Sequence, residues 1–184
     1  FVTVTVEESD DYGTINSQQY KETPLYWKRE GDNMIFDNRD NPFHYILSAI
    51  RLTESYAQSL NKTMKCYHLR IDSDLDSPDG KKYGLGSSAA VTVATVKALC
   101  RFYDLPIANN ILFKLSAIAH LDIQGNGSLG DIAASVYGGW IAYRSFDREW
   151  LKSARNTFNL KKLLSIEWPQ LSVELLTPPT DLEL

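Results

Sequence analysis

The segment from Ser88 to Phe102 is rich in Ala and Val, apolar on nearly every side, and halts at Asp104-Leu105-Pro106. A helix without a polar face cannot lie on a surface, so it belongs at the centre of a domain with other elements packed around it. Directly ahead of it stands Gly84-Leu85-Gly86-Ser87-Ser88-Ala89-Ala90. The first turn of a helix has backbone N–H groups with no internal acceptor, and these attract anions. Glycines lack Cβ, so the chain there can curl and approach a phosphate closely, while Ser87 and Ser88 can cap the helix or offer a hydroxyl to Mg²⁺. A plain serine cap after a glycine turn would use the same residues; the placement before a buried helix is what favours the anion.

Other phosphate signatures fit less well. The P-loop pattern ending in Gly-Lys-Ser/Thr is absent, as are the catalytic loop and Asp-Phe-Gly of protein kinases. Gly84, Gly86 and Ala89 do match dinucleotide-binding spacing, and Asp104 lies 20 residues beyond Gly84. That fingerprint needs a buried apolar strand just before its first glycine, but Asp79-Gly80-Lys81-Lys82-Tyr83 occupies the place, and no apolar strand precedes Asp104. Gly125, Gly127 and Gly130 share the spacing and fail in the same way.

The remaining chain supplies strands and helices in runs. Phe1 to Glu7 alternates apolar residues with Thr as a half-buried strand, and Tyr12 to Phe36 continues as an antiparallel meander broken at Gly13, Pro24, Gly31 and Asp32-Asn33. Asn41-Pro42 offers a cap to a helix over 43–60, marked by Ile46, Ile50, Leu52, Tyr56 and Leu60. Met64 to Ile71 predicts a strand, and Asp72 to Lys82 a polar loop with a turn at Ser77-Pro78-Asp79-Gly80. Helices follow at Ile107 to Leu121 and Ile132 to Val136, then strands at Trp140 to Arg144 and Ser172 to Leu176, separated by a mixed amphipathic stretch. Strands and helices in runs, without strict alternation, favour an α+β sandwich over a doubly wound parallel sheet.

Composition sets the outer bounds. Hydrophobic residues at 43% and charged residues at 23% are ordinary globular values. A net charge of −4 argues against nucleic acid as a partner, because phosphate backbones are held by clustered Lys and Arg. No run approaches the roughly 20 apolar residues of a membrane helix. Cys66 and Cys100 lie in apolar stretches without metal-ligand spacing and are expected as buried free thiols, which fits a cytoplasmic location. The chain opens mid-strand without an initiator Met and stops shortly after a Pro-Pro pair, so a piece of a longer protein is expected.

Lys81-Lys82-Tyr83-Gly84-Leu85-Gly86-Ser87-Ser88-Ala89-Ala90 closely resembles the second motif of the GHMP kinases, a superfamily of small-molecule phosphotransferases. The lead-in Gly80-Lys81-Lys82-Tyr83 is similar to the bacterial phosphomevalonate kinase branch, as are Asn126-Gly127-Ser128-Leu129-Gly130-Asp131 and Tyr143-Arg144-Ser145-Phe146-Asp147-Arg148. The resemblance implies residues 1–184 to be the N-terminal, ATP-binding domain, truncated at both ends. It also implies a two-layer sandwich of a mixed sheet and helices with a left-handed β-α-β crossover. ATP with Mg²⁺ would be the cofactors, and phosphomevalonate, converted to diphosphomevalonate in isoprenoid synthesis, the substrate. An alcohol acceptor such as mevalonate or homoserine, or a nucleotide-binding module without turnover, stand as alternatives.

The resemblance also assigns roles. Backbone N–H groups over Gly84, Leu85, Gly86, Ser87, Ser88 and Ala89 would cradle ATP phosphates, Ser88 would hold the metal, and Lys82 would neutralise charge. Gly127 and Ser128 would contact the acceptor. Asp131 would orient acceptor or metal, because a phosphate acceptor with a second pKa of about 6 already carries its charge near neutral pH and hardly needs a base. Arg144 and Arg148 are candidate cations outside this set. The histidines His44, His68 and His120 show no ligand spacing.

Overall fold

The computed structural model describes residues 1–18, 24–37, 42–73 and 87–178. Strands β1 (Val2–Ser9), β2 (Gly13–Ser17), β3 (Leu25–Glu30), β4 (Asn33–Phe36) and β5 (Cys66–Ser73) form one sheet in the order β1-β5-β2-β3-β4. Helix α1 (His44–Ser59) lies between β4 and β5 in sequence; α2 (Ser87–Phe102), α3 (Asn109–Ile123) and α4 (Gly130–Tyr137) follow. The chain then forms β6 (Trp140–Arg144), α5 (Arg148–Thr157), α6 (Leu160–Ser165) and β7 (Ser172–Leu176), with β6 and β7 paired as a separate antiparallel ribbon. The α+β class is as expected, and the amphipathic stretch after Asp147 resolves into two short helices whose Asp147 and Asn159 side chains cap backbone N–H groups.

Two expectations need correction. The meander holds only for β2, β3 and β4; β1 does not pair with β2, because β5 sits between them, antiparallel to β1 and parallel to β2. The cause is burial: β5 carries Tyr67, Leu69 and Ile71 on one face, all nearly inaccessible, and such a strand belongs inside the sheet. The parallel β2–β5 pair is the crossover, with β3, β4 and α1 in its connection. The second correction is Gly13, which does not break a strand but begins β2. A Cβ there would stand 2.1 Å from Trp27 Cε2, so the missing side chain makes room for the indole. Cys100 is buried as expected, whereas Cys66 is only partly so. The cap expected at Asn41 and the turn at 77–80 lie outside the described residues; the residue preceding α1 is Phe43, with no side-chain cap bond.

Helix α2 takes the central position that its composition demands, touching α1, α3, α4 and β1. Its C-terminal end packs on the sheet through Phe102 and Tyr103, whose rings lie 5.3 and 6.3 Å from that of Tyr67. Around these rings a polar cluster closes the core. Arg29 on β3 bonds Glu54 on α1 through both guanidinium nitrogens, and its Nε and Nη2 also donate to the Lys65 carbonyl at 2.9 and 2.7 Å. Tyr67 and Tyr103 donate to Glu54 Oε2 at 2.8 and 3.1 Å. Burial first, and then the Glu54 charge, push the Tyr67 hydroxyl well above its ordinary range, so it remains a neutral donor. The Arg29 and Glu54 side chains are 9% and 6% exposed, which makes each costly to leave unpaired.

Removing one member should therefore strand the other. Glu54→Leu is expected to cost about 3–5 kcal/mol in urea unfolding. The double variant Arg29→Met with Glu54→Leu should lose clearly less than the sum of the two single changes; strict additivity would show the pair to be energetically idle.

Candidate active site

The site grows from the ends of three helices. Ser87 begins α2, so the amides of Ser87, Ser88 and Ala89 lie in its first turn, where N–H groups lack helical acceptors. No acidic side chain occupies that turn, leaving its positive end uncompensated by the helix's own residues. Thr92 and Thr95, one and two turns on, return their hydroxyls to the carbonyls of Ser88 and Val91 at 2.7 and 2.8 Å. Ser88 instead reaches across to α3, its Oγ 3.3 Å from His120 Nε2.

His120 stands near the end of α3, 8% exposed, with its ring centroid 5.0 Å from that of Tyr45 on α1. Burial lowers its pKa from the ordinary histidine value, with the Asp131 charge acting the other way, so the ring is neutral near pH 7. Beyond α3 the loop from Gln124 to Ser128 is exposed and leads to Leu129, a buried residue at φ +64° that precedes α4. Tyr143 on β6 donates to the Ser128 carbonyl at 2.6 Å, and Tyr45 donates to Gln124 Oε1 at 3.1 Å. Ser128 Oγ accepts from the Gly130 amide at 3.3 Å, which leaves its own hydrogen free for an incoming group. Asp131 is exposed in the first turn of α4, where the helix dipole favours a carboxylate.

Ser88 and Ala89 on α2 and Asp131 on α4 thus sit on elements that pack together, and Gly127 and Ser128 lie in the loop that joins α3 to α4. Gly127 is exposed at φ +99°, a conformation glycine adopts freely. Lys82, Gly84, Leu85 and Gly86 lie outside the described residues, as does Lys81, and Ser87 is described by its backbone alone. Arg148 lies on the wall of a cavity of 670 Å³ that Gly125, Lys152 and Arg155 also line. Arg155 is already paired with Asp122. Among the described residues no group of three or more His, Cys, Asp or Glu could hold a metal by itself.

The roles of two residues escaped the sequence reading. Tyr143 lies in a segment singled out by resemblance, but its role carries no local signal, because its partner is a carbonyl 15 positions away. His120 had one: it follows Phe113 and Ser116 at helical spacing on the buried face of α3, and a buried imidazole needs a partner.

This arrangement has relatives. The family described as the GHMP kinases N terminal domain matches residues 44–139, from α1 through the turn after α4. The chain belongs to the GHMP kinase family. A phosphomevalonate kinase of Streptomyces sp. (strain CL190) is 31% identical over the whole chain, which covers 51% of that relative. The crystal structure of Streptococcus pneumoniae phosphomevalonate kinase in complex with phosphomevalonate and AMPPNP superposes with a TM-score of 0.78 at 28% identity, covering 95% of this chain and 49% of the other. A mevalonate kinase of Methanocaldococcus jannaschii is 32% identical over 59% of the chain, which covers 33% of that relative. The GHMP chain here therefore spans about half the length of the phosphomevalonate kinases it matches. No described helix is long and apolar enough to cross a membrane.

The loop geometry has a measurable consequence. Tyr143→Phe removes the bond to the Ser128 carbonyl and should cost about 1 kcal/mol. Amide hydrogen exchange should accelerate in 125–130 and stay unchanged in β5; uniform acceleration would mean that Tyr143 supports the fold generally and not this loop.

Proposed function

We propose that the chain forms the nucleotide- and acceptor-binding part of an ATP-dependent phosphomevalonate kinase acting in the cytoplasm. The observation that carries the acceptor assignment is the extent of likeness: similarity to a phosphomevalonate kinase runs the full chain, including the β1–β4 sheet and the α5–β7 region, while that to the mevalonate kinase covers 59%. ATP is supported by the AMPPNP and phosphomevalonate held together in the S. pneumoniae relative.

Phosphoryl transfer asks a protein for positioning and charge stabilisation more than for covalent work. The first turn of α2 supplies amide donors to the nucleotide phosphates, together with Gly84, Leu85 and Gly86 just ahead of it in the sequence, and Lys82 adds a positive charge. Gly127 lets the chain approach the acceptor and the Ser128 hydroxyl donates to it. Mg²⁺ fits the oxygen donors present: the Ser88 hydroxyl and the exposed Asp131 carboxylate match an ion held by one or two protein oxygens and mainly by phosphates. Ser88 and Asp131 would hold it, and there it would neutralise charge on the transferring group. The γ-phosphoryl passes from ATP to a phosphate oxygen of phosphomevalonate, breaking one P–O bond and forming another, with ADP leaving. Asp131 orients the acceptor, which is already mostly dianionic at neutral pH.

In the complete gene product, phosphomevalonate should be turned over and mevalonate and homoserine should not. Transfer to mevalonate alone overturns the acceptor assignment, and ATP binding by calorimetry without transfer to any acceptor favours a non-catalytic module. Asp131→Asn should lower kcat while leaving the pH–rate profile without any ionisation lost; disappearance of a limb would make Asp131 a general base.

A further inference from the structure

The hydroxyl of Ser88 is engaged differently from those of Thr92 and Thr95 further along α2. Thr92 and Thr95 bond backward to carbonyls four residues earlier in the helix, which ties each to its own helix and hides it from anything outside. Ser88 points to a neighbouring helix, and the group that receives it is a buried ring with no competing bond: His120 Nδ1 has no hydrogen-bond partner among the described residues. A buried polar ring with half its bonding capacity empty is costly as a core residue, since the orphaned nitrogen loses its hydration for nothing. Leucine in its place would suit the buried neighbours Leu112, Leu115 and Ala119 of the same helix. The retained imidazole thus has only one described hydrogen bond to justify it, and that bond ends on the first turn of α2. Tyr45 stacked on one side and burial on the other hold the ring still, and its neutral form puts no second charge beside the helix end.

We propose that His120 is a positioning residue for the transfer site: its Nε2 fixes the Ser88 hydroxyl in one rotamer at the N-terminus of α2. The inference rests on the reading that this N-terminus binds nucleotide phosphates. A serine free to rotate would lose that freedom on binding, and fixing one rotamer beforehand removes this cost from the bound state.

The test uses the complete gene product and its His120→Leu, His120→Gln and His120→Asn forms. The terminal amide of Gln reaches the place of Nε2; that of Asn stops near Nδ1. We expect His120→Leu and His120→Asn to lower kcat about 10–100-fold and weaken ATP binding with Mg²⁺ about tenfold by calorimetry, with the acceptor KM unchanged and His120→Gln close to wild type. His120→Leu should unfold at an equal or higher urea concentration, because it removes a buried orphan nitrogen. Combined with Ser88→Ala it should lose no more than Ser88→Ala alone. Equal behaviour of the Gln and Leu forms, or losses that add to those of Ser88→Ala, would overturn the assignment and leave the nucleotide site standing. Should His120→Leu be poorly folded, the Gln and Asn pair decides by itself: equal activity in both refutes the role. Wild-type protein that binds no ATP would refute the nucleotide reading and this inference together.

Discussion

The buried pairing of Arg29 with Glu54 is the constraint from which the rest of the architecture follows. It joins the third strand to the first helix, takes in the carbonyl of Lys65 at the approach to β5, and collects the hydroxyls of Tyr67 and Tyr103. Trp27 lies under the guanidinium, 4.9 Å from ring centroid to Cζ, so the cation is shielded on its flat face as well. None of these groups tolerates a missing partner, and their satisfaction fixes how sheet, α1 and the end of α2 meet. The N-terminus of α2, proposed to bind phosphates, lies at the opposite end, about 24 Å away for a helix of 16 residues. A rigid apolar rod clamped at one end presents the other at a defined place, and that is how a cluster remote from any ligand sets the position of Ser88.

At the free end, the three helices meet without a large buried charge. The α2 turn carries no acid, His120 is neutral, and Asp131 faces solvent on the dipole of α4. This is an economical arrangement for anionic ligands. Positive potential comes mainly from peptide dipoles, which cannot be lost by titration, and the negative group stands where it can meet a cation or an acceptor without having to be desolvated first.

Features governed by local pattern were legible in the sequence. The all-round apolarity of 88–102 marked the central helix, β6 and β7 were bounded correctly by alternation and flanking turns, and the residues of the Gly127–Asp131 segment were picked out by their resemblance to relatives. Features governed by distant partners were not legible. Nothing within β1 tells whether its neighbour is β2 or β5, because both present a suitable edge and only the deeper burial of Tyr67, Leu69 and Ile71 decides. Gly13 carries the turn signal of any glycine, and its real purpose is visible only once Trp27 is seen lying against it. His120 looked like one of three unremarkable histidines because its meaning depends on Ser88, 32 positions earlier in the chain.

Leu129 shows how such a fold limits its own variation. Its backbone is wound in the left-handed sense, at a penalty of roughly 1–2 kcal/mol for a residue with a side chain, while that side chain is 5% exposed and anchors the segment to the core at a gain of about 1.5–3 kcal/mol. Glycine would relax the winding and release the anchor; valine or isoleucine would keep an anchor and clash through branching at Cβ. Only an apolar residue unbranched at Cβ meets both demands, so drift at this position is confined to a corridor about as narrow as leucine and methionine.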